Sequence, residues 1–315
     1  MDPLSDLLRV VRLDGAYFYR IEATSHWLAA VPPARERTPR ILPQSEHLIG
    51  YHIVTTGRCF GGLVGESPRE LGAGDVILFP HGDAHIMGSE PVGRREAQYY
   101  HTIPAPYPST LHMGDGGPHT ATLLCGFLGC DLRPFNPLLA SLPAVIHLSG
   151  GVSPWIGAAT KELLEQSWAA HPGSDGALTR LAELMFIEVV RRYLHAMPPG
   201  QTGWLAGLHD EVVGRALALL HARPAHPWTL DALAREAATS RSSLARRFQE
   251  LMGQPPMQYL TRWRMQVAAN LLVQSGAKIA VIASEVGYDS ESAFSRAFKQ
   301  ATGVSPGAWR EGRRG

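Results

Sequence analysis

The chain is poor in the features that stabilise secreted or membrane proteins. It has three cysteines, Cys59, Cys125 and Cys130, in 315 residues. That number is small and odd, so a disulfide framework is excluded as the basis of the fold. There is no run of about 18 apolar residues, which argues against a membrane-spanning helix. The start, Met1-Asp2-Pro3-Leu4-Ser5-Asp6, lacks the basic stretch and apolar segment of a secretory signal, so a cytoplasmic location is expected. A large net charge is missing as well, since the whole chain carries +1. The near balance hides an asymmetry. Residues 206–315 hold 14 Lys+Arg against 9 Asp+Glu, whereas the first 205 residues hold 15 against 19. A basic segment on a mildly acidic body is the distribution of a nucleic-acid-binding tail domain, and also of many solvated helical domains.

What is present divides the chain. Its length predicts two domains, and 45% hydrophobic residues allow each a core. From about Ile41 to Leu132 the sequence reads as short strands: Leu48–Val54, Asp75–Phe79 between Gly74 and Pro80, and Thr120–Leu128. Gly, Pro and Asp separate them, as in an all-β sandwich or barrel. Helical spacing begins near Pro154, over Trp155–Ala169 and Ala177–Ala196. In the latter, Leu178, Leu181, Leu184, Met185 and Val189 share a stripe. That stripe either covers the barrel or forms a dimerisation surface. Pro198-Pro199-Gly200-Gln201-Thr202-Gly203 is the candidate linker. The expected blocks are 1–150, 151–197, a linker over 198–206, and 207–315.

The last block contains a duplication. At an offset of 49, Leu230, Leu233, Ala234 and Glu236 meet Ile279, Ile282, Ala283 and Glu285. One residue then enters the second turn. At an offset of 50, Ser240, Leu244, Arg246 and Phe248 meet Ser290, Phe294, Arg296 and Phe298. Each copy reads as a helix-turn-helix, over 230–251 and 279–300. Ser240 and Ser290 can cap the second helices, and the i, i+4 pairs Leu244/Phe248 and Phe294/Phe298 supply one buried face. The opposite faces offer Arg241, Ser242, Ala245, Arg246 and Gln249 in one copy, and Glu291, Ser292, Ser295, Arg296 and Lys299 in the other. These side chains suit base edges in a major groove. Between the copies, Pro256–Gln274 predicts a helix of about five turns that fixes their spacing. Arg262 and Arg264 on it are candidate phosphate contacts.

Residues 208–310 resemble the DNA-binding domain of the AraC family. The resemblance rests on Trp228-Thr-Leu-Asp-Ala-Leu-Ala, Ser243-Leu-Ala-Arg-Arg-Phe248, Gly253-Gln-Pro-Pro-Met-Gln-Tyr-Leu260 and Val286-Gly-Tyr-Asp-Ser-Glu-Ser-Ala-Phe-Ser-Arg-Ala-Phe298. It ends in Gly303-Val-Ser-Pro-Gly-Ala-Trp-Arg310. It implies two recognition helices in successive major grooves, with Ser242, Arg246, Ser292 and Arg296 as readers. It also implies promoter DNA and RNA polymerase as partners, and a homodimer.

Gly74-Asp-Val-Ile-Leu-Phe-Pro80-His-Gly82-Asp-Ala-His85 resembles the second cupin motif. It implies a cupin-like barrel over roughly residues 8–150, which in AraC family members senses a signal. The fold class expected is therefore α+β multidomain: a cupin-like β-barrel with a helical extension, then an all-α domain with two helix-turn-helix motifs. The first cupin motif lacks its usual His-x-His, and only His52 stands there. His52, His81 and His85 are the candidate ligands for a divalent metal, since imidazole suits Zn, Fe or Ni. The other reading makes His52 and His85 interior residues bonded to backbone. Cys125 and Cys130 are the redox candidates. Their odd spacing puts them on opposite strand faces, so a disulfide between them requires a bend at Gly126 or Gly129. The function expected is a non-enzymatic, sequence-specific transcription regulator, an activator, controlled by a small-molecule or oxidant effector. The alternative is a metal-dependent cupin enzyme with a helical appendage.

Overall fold

The computed structural model describes residues 2–11, 13–90, 98–99, 109–150, 154–168, 172–198 and 200–312. Ala169 and Pro199, at the expected end of one helix and in the expected linker, lie outside them. In chain order the first elements are α1 (Pro3–Val10), β1 (Leu13–Thr24), β2 (Leu28–Val31), α2 (Ala34–Ile41), β3 (His47–Leu63) and β4 (Arg69–Gly72). There follow β5 (Val76–Phe79), β6 (His85–Gly88), β7 (Gln98–Tyr99), β8 (Ser109–Met113), β9 (His119–Cys130), α3 (Pro137–Ser141) and β10 (Ile146–Leu148). The remainder is helical: α4 (Pro154–Trp168), α5 (Ser174–Ala196), α6 (Trp204–His209), α7 (Glu211–Ala222), α8 (Leu230–Glu236) and α9 (Arg241–Met252). The last four are α10 (Pro256–Gln274), α11 (Ile279–Glu285), α12 (Glu291–Thr302) and α13 (Pro306–Glu311).

The chain forms two compact units. One comprises Leu13–Asp131 and Leu142–Met197; the other comprises Met1–Arg12, Leu132–Ser141 and Pro198–Gly315. The units differ from the expected blocks in two segments. Both α1 and the stretch holding α3 group with the C-terminal helices.

The first unit is a curled sheet, a cupin-like half-barrel. Its strand order is β7-β2-β6-β3-β9-β1-β8, with β4 and β5 also on β3 and β10 on β5. β1 and β2 precede the point at which the sequence pattern becomes legible as strand. β3 curls the sheet: its first half pairs with β9 and β5, its second with β4 and β6. A register shift between Val54 and Thr56 marks the change, as a bulge does. The sheet is buried on both faces here, which explains the near-continuous apolar run Leu123–Leu128. Leu48, Val54, Ile77, Phe79, Leu123, Cys125 and Phe127 point inward. Ile49, Tyr51, Val76, Leu78 and Leu128 face Ala182, Met185, Phe186 and Val189 of α5. The α5 stripe thus covers the sheet. Leu184, expected on that stripe, is 46% exposed.

In the second unit, α9 starts at an N-cap, Ser240, whose side chain accepts from Ser243 N–H, and ends at Gly253. α12 repeats this with Ser290, Ala293 N–H and Gly303. Leu244, Phe248, Phe294 and Phe298 are fully buried, as their spacing requires. The buried amide of Gln266 on α10 ties in both outlying segments. It donates to Val10 C=O at 3.1 Å and accepts from Phe135 N–H at 2.9 Å.

Candidate nucleic-acid interface and half-barrel interior

The outer faces of α9 and α12 are solvent-exposed where the reading side chains were expected. Arg241, Ser242, Arg246 and Gln249 are exposed on α9, and Glu291, Ser292 and Arg296 on α12, with Ser295 half-buried. The two surfaces are charged differently. Arg241 pairs with Asp231 at 3.2 Å and Arg246 with Glu250 at 3.2 Å, both in exposed positions. Such pairs are worth only about 0–1 kcal/mol, so either arginine is free to exchange its carboxylate for a stronger acceptor. Arg247, one residue on, is also exposed. It grips Asp210, which also caps α7.

The turns of the two copies place a left-handed residue at the same position. Ala238 has φ 53° and Gly287, 49 residues later, φ 82°. The following amides, Thr239 N–H and Tyr288 N–H, bond to Ala234 C=O and Ala283 C=O in matching fashion. Gly287 is also required by space, since a Cβ there would lie 2.7 Å from Ala225 O.

The arginines of α10 divide between two roles. Arg262 is exposed, lies 4.1 Å over the Phe135 ring and donates to Gln254. Arg264 donates to Pro224 C=O at 2.7 Å and His226 C=O at 2.9 Å, beside Gly287. It therefore fastens the loop between α7 and α8 to α10, and its guanidinium is spent on backbone rather than presented to phosphate.

Inside the half-barrel, three predicted residues meet. His52 Nδ1 is 2.9 Å from Cys125 Sγ, and His52 Nε2 is 2.9 Å from His85 Nε2. His85 Nδ1 lies 2.9 Å from Asp83 O. The carbonyl can only accept, which fixes the protons along the chain. His85 donates through Nδ1–H and accepts at Nε2. His52 donates through Nε2–H and accepts at Nδ1, and Cys125 donates its S–H. This assignment requires neutral rings. Desolvation supplies them: burial lowers His52 well below its ordinary range and His85 to about 3. Burial likewise pushes the Cys125 thiol up, so it stays protonated.

His81 stands apart from this pair, with Nε2 2.8 Å from Leu142 O. The expected trio of metal ligands therefore does not converge. An ion held by His52 and His85 would have to replace the bond between their Nε2 atoms, and no group of three His, Cys, Asp or Glu donors stands ready among the described residues. Cys125 and Cys130 also remain separate. β9 pairs with β3 without a register shift from His47/Cys130 to Val54/Leu123, so no bend intervenes. Five extended residues span about 16 Å, beyond the reach of a disulfide. Gly126 serves another purpose: a Cβ there would lie 2.2 Å from Tyr51 Oη and from Tyr17 O.

Sequence reading missed Arg37. It lies on α2, where Ala34, Arg37, Thr38 and Ile41 form the buried stripe, and is 3% exposed. Its guanidinium sits 3.8 Å from the centre of the Phe127 ring. Burial lowers its pKa to about 10. The available signal was the i, i+3, i+4, i+7 spacing, with arginine where an apolar residue is expected.

Two families match the chain: one described as Cupin over residues 2–195, and one described as Helix-turn-helix domain over residues 233–312. A putative AraC-like transcription regulator of Streptomyces antibioticus is 33% identical, over 99% of both chains. The transcriptional regulator AlkR of Acinetobacter baylyi is 27% identical, also over 99% of both. The RCS-specific transcriptional activator RclR of Escherichia coli is 33% identical, over 84% of both.

Proposed function

Because the chain belongs to the AraC family of DNA-binding transcription regulators and carries a cupin domain ahead of its helix-turn-helix domain, we propose that it controls promoters in response to a signal received by the half-barrel. In this reading it acts in the cytoplasm as a homodimer on double-stranded promoter DNA, engages RNA polymerase as an activator, and catalyses no reaction. The observation that carries it is the pair of serine-capped helices, each with one face buried and the other lined by exposed Arg, Ser, Gln and Glu. Arg241, Ser242, Arg246 and Gln249 would read one major groove. Glu291, Ser292, Ser295 and Arg296 would read the next, and Arg262 would bind phosphate.

The interior favours a small-molecule effector over an oxidant. Reactive thiols are thiolates with access to solvent, whereas Cys125 and Cys130 are both buried and Cys125 is held as a hydrogen-bond donor. It favours a receptor over a metal enzyme for a related reason, since His52 uses both ring nitrogens on side-chain partners.

The test is fluorescence anisotropy with DNA from upstream of the chain's own and neighbouring genes. Arg246→Ala and Arg296→Ala should each cost about 1–3 kcal/mol of specific binding. Specific binding that survives both substitutions unchanged would remove the assigned reading helices.

A further inference from the structure

Among the described residues, the charge on Arg37 has no carboxylate counterpart, and its Nε is buried without a hydrogen-bond partner. What it touches is the face of Phe127. A cation–π contact offsets part of the desolvation of a guanidinium but satisfies none of its five N–H donors. Buried charges are ordinarily paired, because an uncompensated one is strongly unfavourable.

The surroundings narrow what could pair with it. The ionisable groups around it are the Tyr19 phenol, whose field offsets part of the effect of burial on the guanidinium, the His52 and His85 rings, which burial keeps neutral, and the Cys125 thiol, which burial keeps protonated. Among the described residues Arg37 is the one buried cation of this interior, and it calls for a single negative charge. The core around it is apolar: Phe79, Phe127, Leu48, Val54 and Leu123 belong to one buried cluster. A guanidinium presents parallel N–H donors that match a carboxylate bidentately. α2 is itself a surface element, with Arg35, Glu36, Pro39 and Arg40 exposed, so the guanidinium lies one helix layer from solvent.

We propose that Arg37 is the anchor of a binding site inside the half-barrel for a small organic monocarboxylate, whose carboxylate pairs with the guanidinium and whose apolar body lies against the Phe79–Phe127 wall. This rests on the half-barrel being the receptor of the regulator. The ligand would be held by charge at one end and by the hydrophobic effect at the other.

The experiment uses the full chain. Thermal melts and isothermal titration calorimetry are run with acetate, hexanoate and benzoate, with the neutral probes hexanol and benzamide, and with inorganic phosphate. At least one carboxylate should bind saturably and raise the melting temperature, while its neutral counterpart and phosphate should not. Arg37→Met should weaken that binding at least tenfold and melt no lower than wild type without ligand. Should Arg37→Met fail to fold, Arg37→Lys keeps the charge without the fork and should still bind at least tenfold more weakly. Absence of saturable carboxylate binding, or equal binding by wild type and the Arg37 variants, overturns the site. DNA affinity is measured on the same samples with and without the carboxylate. Carboxylate binding that leaves DNA affinity unchanged supports the site while removing the half-barrel's receptor role.

Discussion

Each unit contains a buried histidine stacked on an aromatic ring, and the two stacks have the same geometry. His221 lies 3.8 Å from Trp263 with 9° between planes, and His85 lies 3.8 Å from Phe79 with 9° between planes. Burial lowers both imidazoles to about 3. Their surroundings differ. His221 Nε2 meets Tyr259 Oη at 2.7 Å, and that oxygen also accepts from Trp204 Nε1 at 2.8 Å. This network is made of neutral groups. The His85 network instead runs through His52 to a thiol and lies near a buried guanidinium that no carboxylate balances among the described residues. Identical ring packing therefore occurs in two settings: in the helical unit the stack joins a core of neutral groups, and in the half-barrel it joins a core that also holds the Arg37 guanidinium.

The comparison can be broken in several ways, in decreasing order of expected effect. The largest is on the helical core. Phe248→Ala or Phe294→Ala should cost about 3–5 kcal/mol. Hydrogen exchange should show the loss in the helical unit rather than the half-barrel. The second uses pH. A histidine lowered in the folded state leaves the unfolded chain binding more protons below its ordinary value near 6.5. Stability is then complete above about pH 6.5 and is lost as pH falls toward 3, by about 1.4 kcal/mol per pH unit for each group. At pH 5 His221 should cost roughly 2 kcal/mol, and the half-barrel, with His52 acting in the same direction as His85, should lose more. Urea melts followed separately in each unit check this. A half-barrel insensitive to pH between 7 and 5 would contradict neutral, relayed imidazoles.

Smaller effects separate the arginines of α10. Arg262→Ala should leave stability nearly unchanged and reduce the salt dependence of DNA binding by about one phosphate contact. Arg264→Ala should instead lower the melting temperature, because two carbonyls lose their donor. The smallest effect concerns the turns. Ala238→Gly should stabilise the first copy by up to about 1 kcal/mol by relieving the positive φ, whereas Gly287→Ala should destabilise the second.

The helical unit was legible because its signals are local. Serine caps, i, i+4 aromatics and the 49/50 offset lie within single turns of chain, and each has one physical meaning. The half-barrel is held by contacts between distant residues. His52 and Cys125 meet across 73 residues, and Gly126, one of two glycines between the candidate cysteines, proved to admit Tyr51 rather than a bend. His81 and His85 were both candidate ligands, with His85 at the motif's histidine position, and a carbonyl of Leu142 takes one while the interior takes the other. Arg37 was easily overlooked because Ala-Arg-Glu-Arg-Thr-Pro-Arg-Ile reads as a solvated stretch, and only the 34, 37, 38, 41 spacing marks its buried stripe. The grouping of α1 and α3 with the helices was equally hidden, since Gln266 meets Val10 and Phe135 only in three dimensions.

The most direct test of the division between reading and receiving is promoter binding by three proteins side by side: wild type, Arg246→Ala/Arg296→Ala, and Arg37→Met, at fixed salt without ligand. The double variant should lose most of its preference for specific over nonspecific DNA, while Arg37→Met keeps it. Retained preference in the double variant, or its loss in Arg37→Met, would contradict the account.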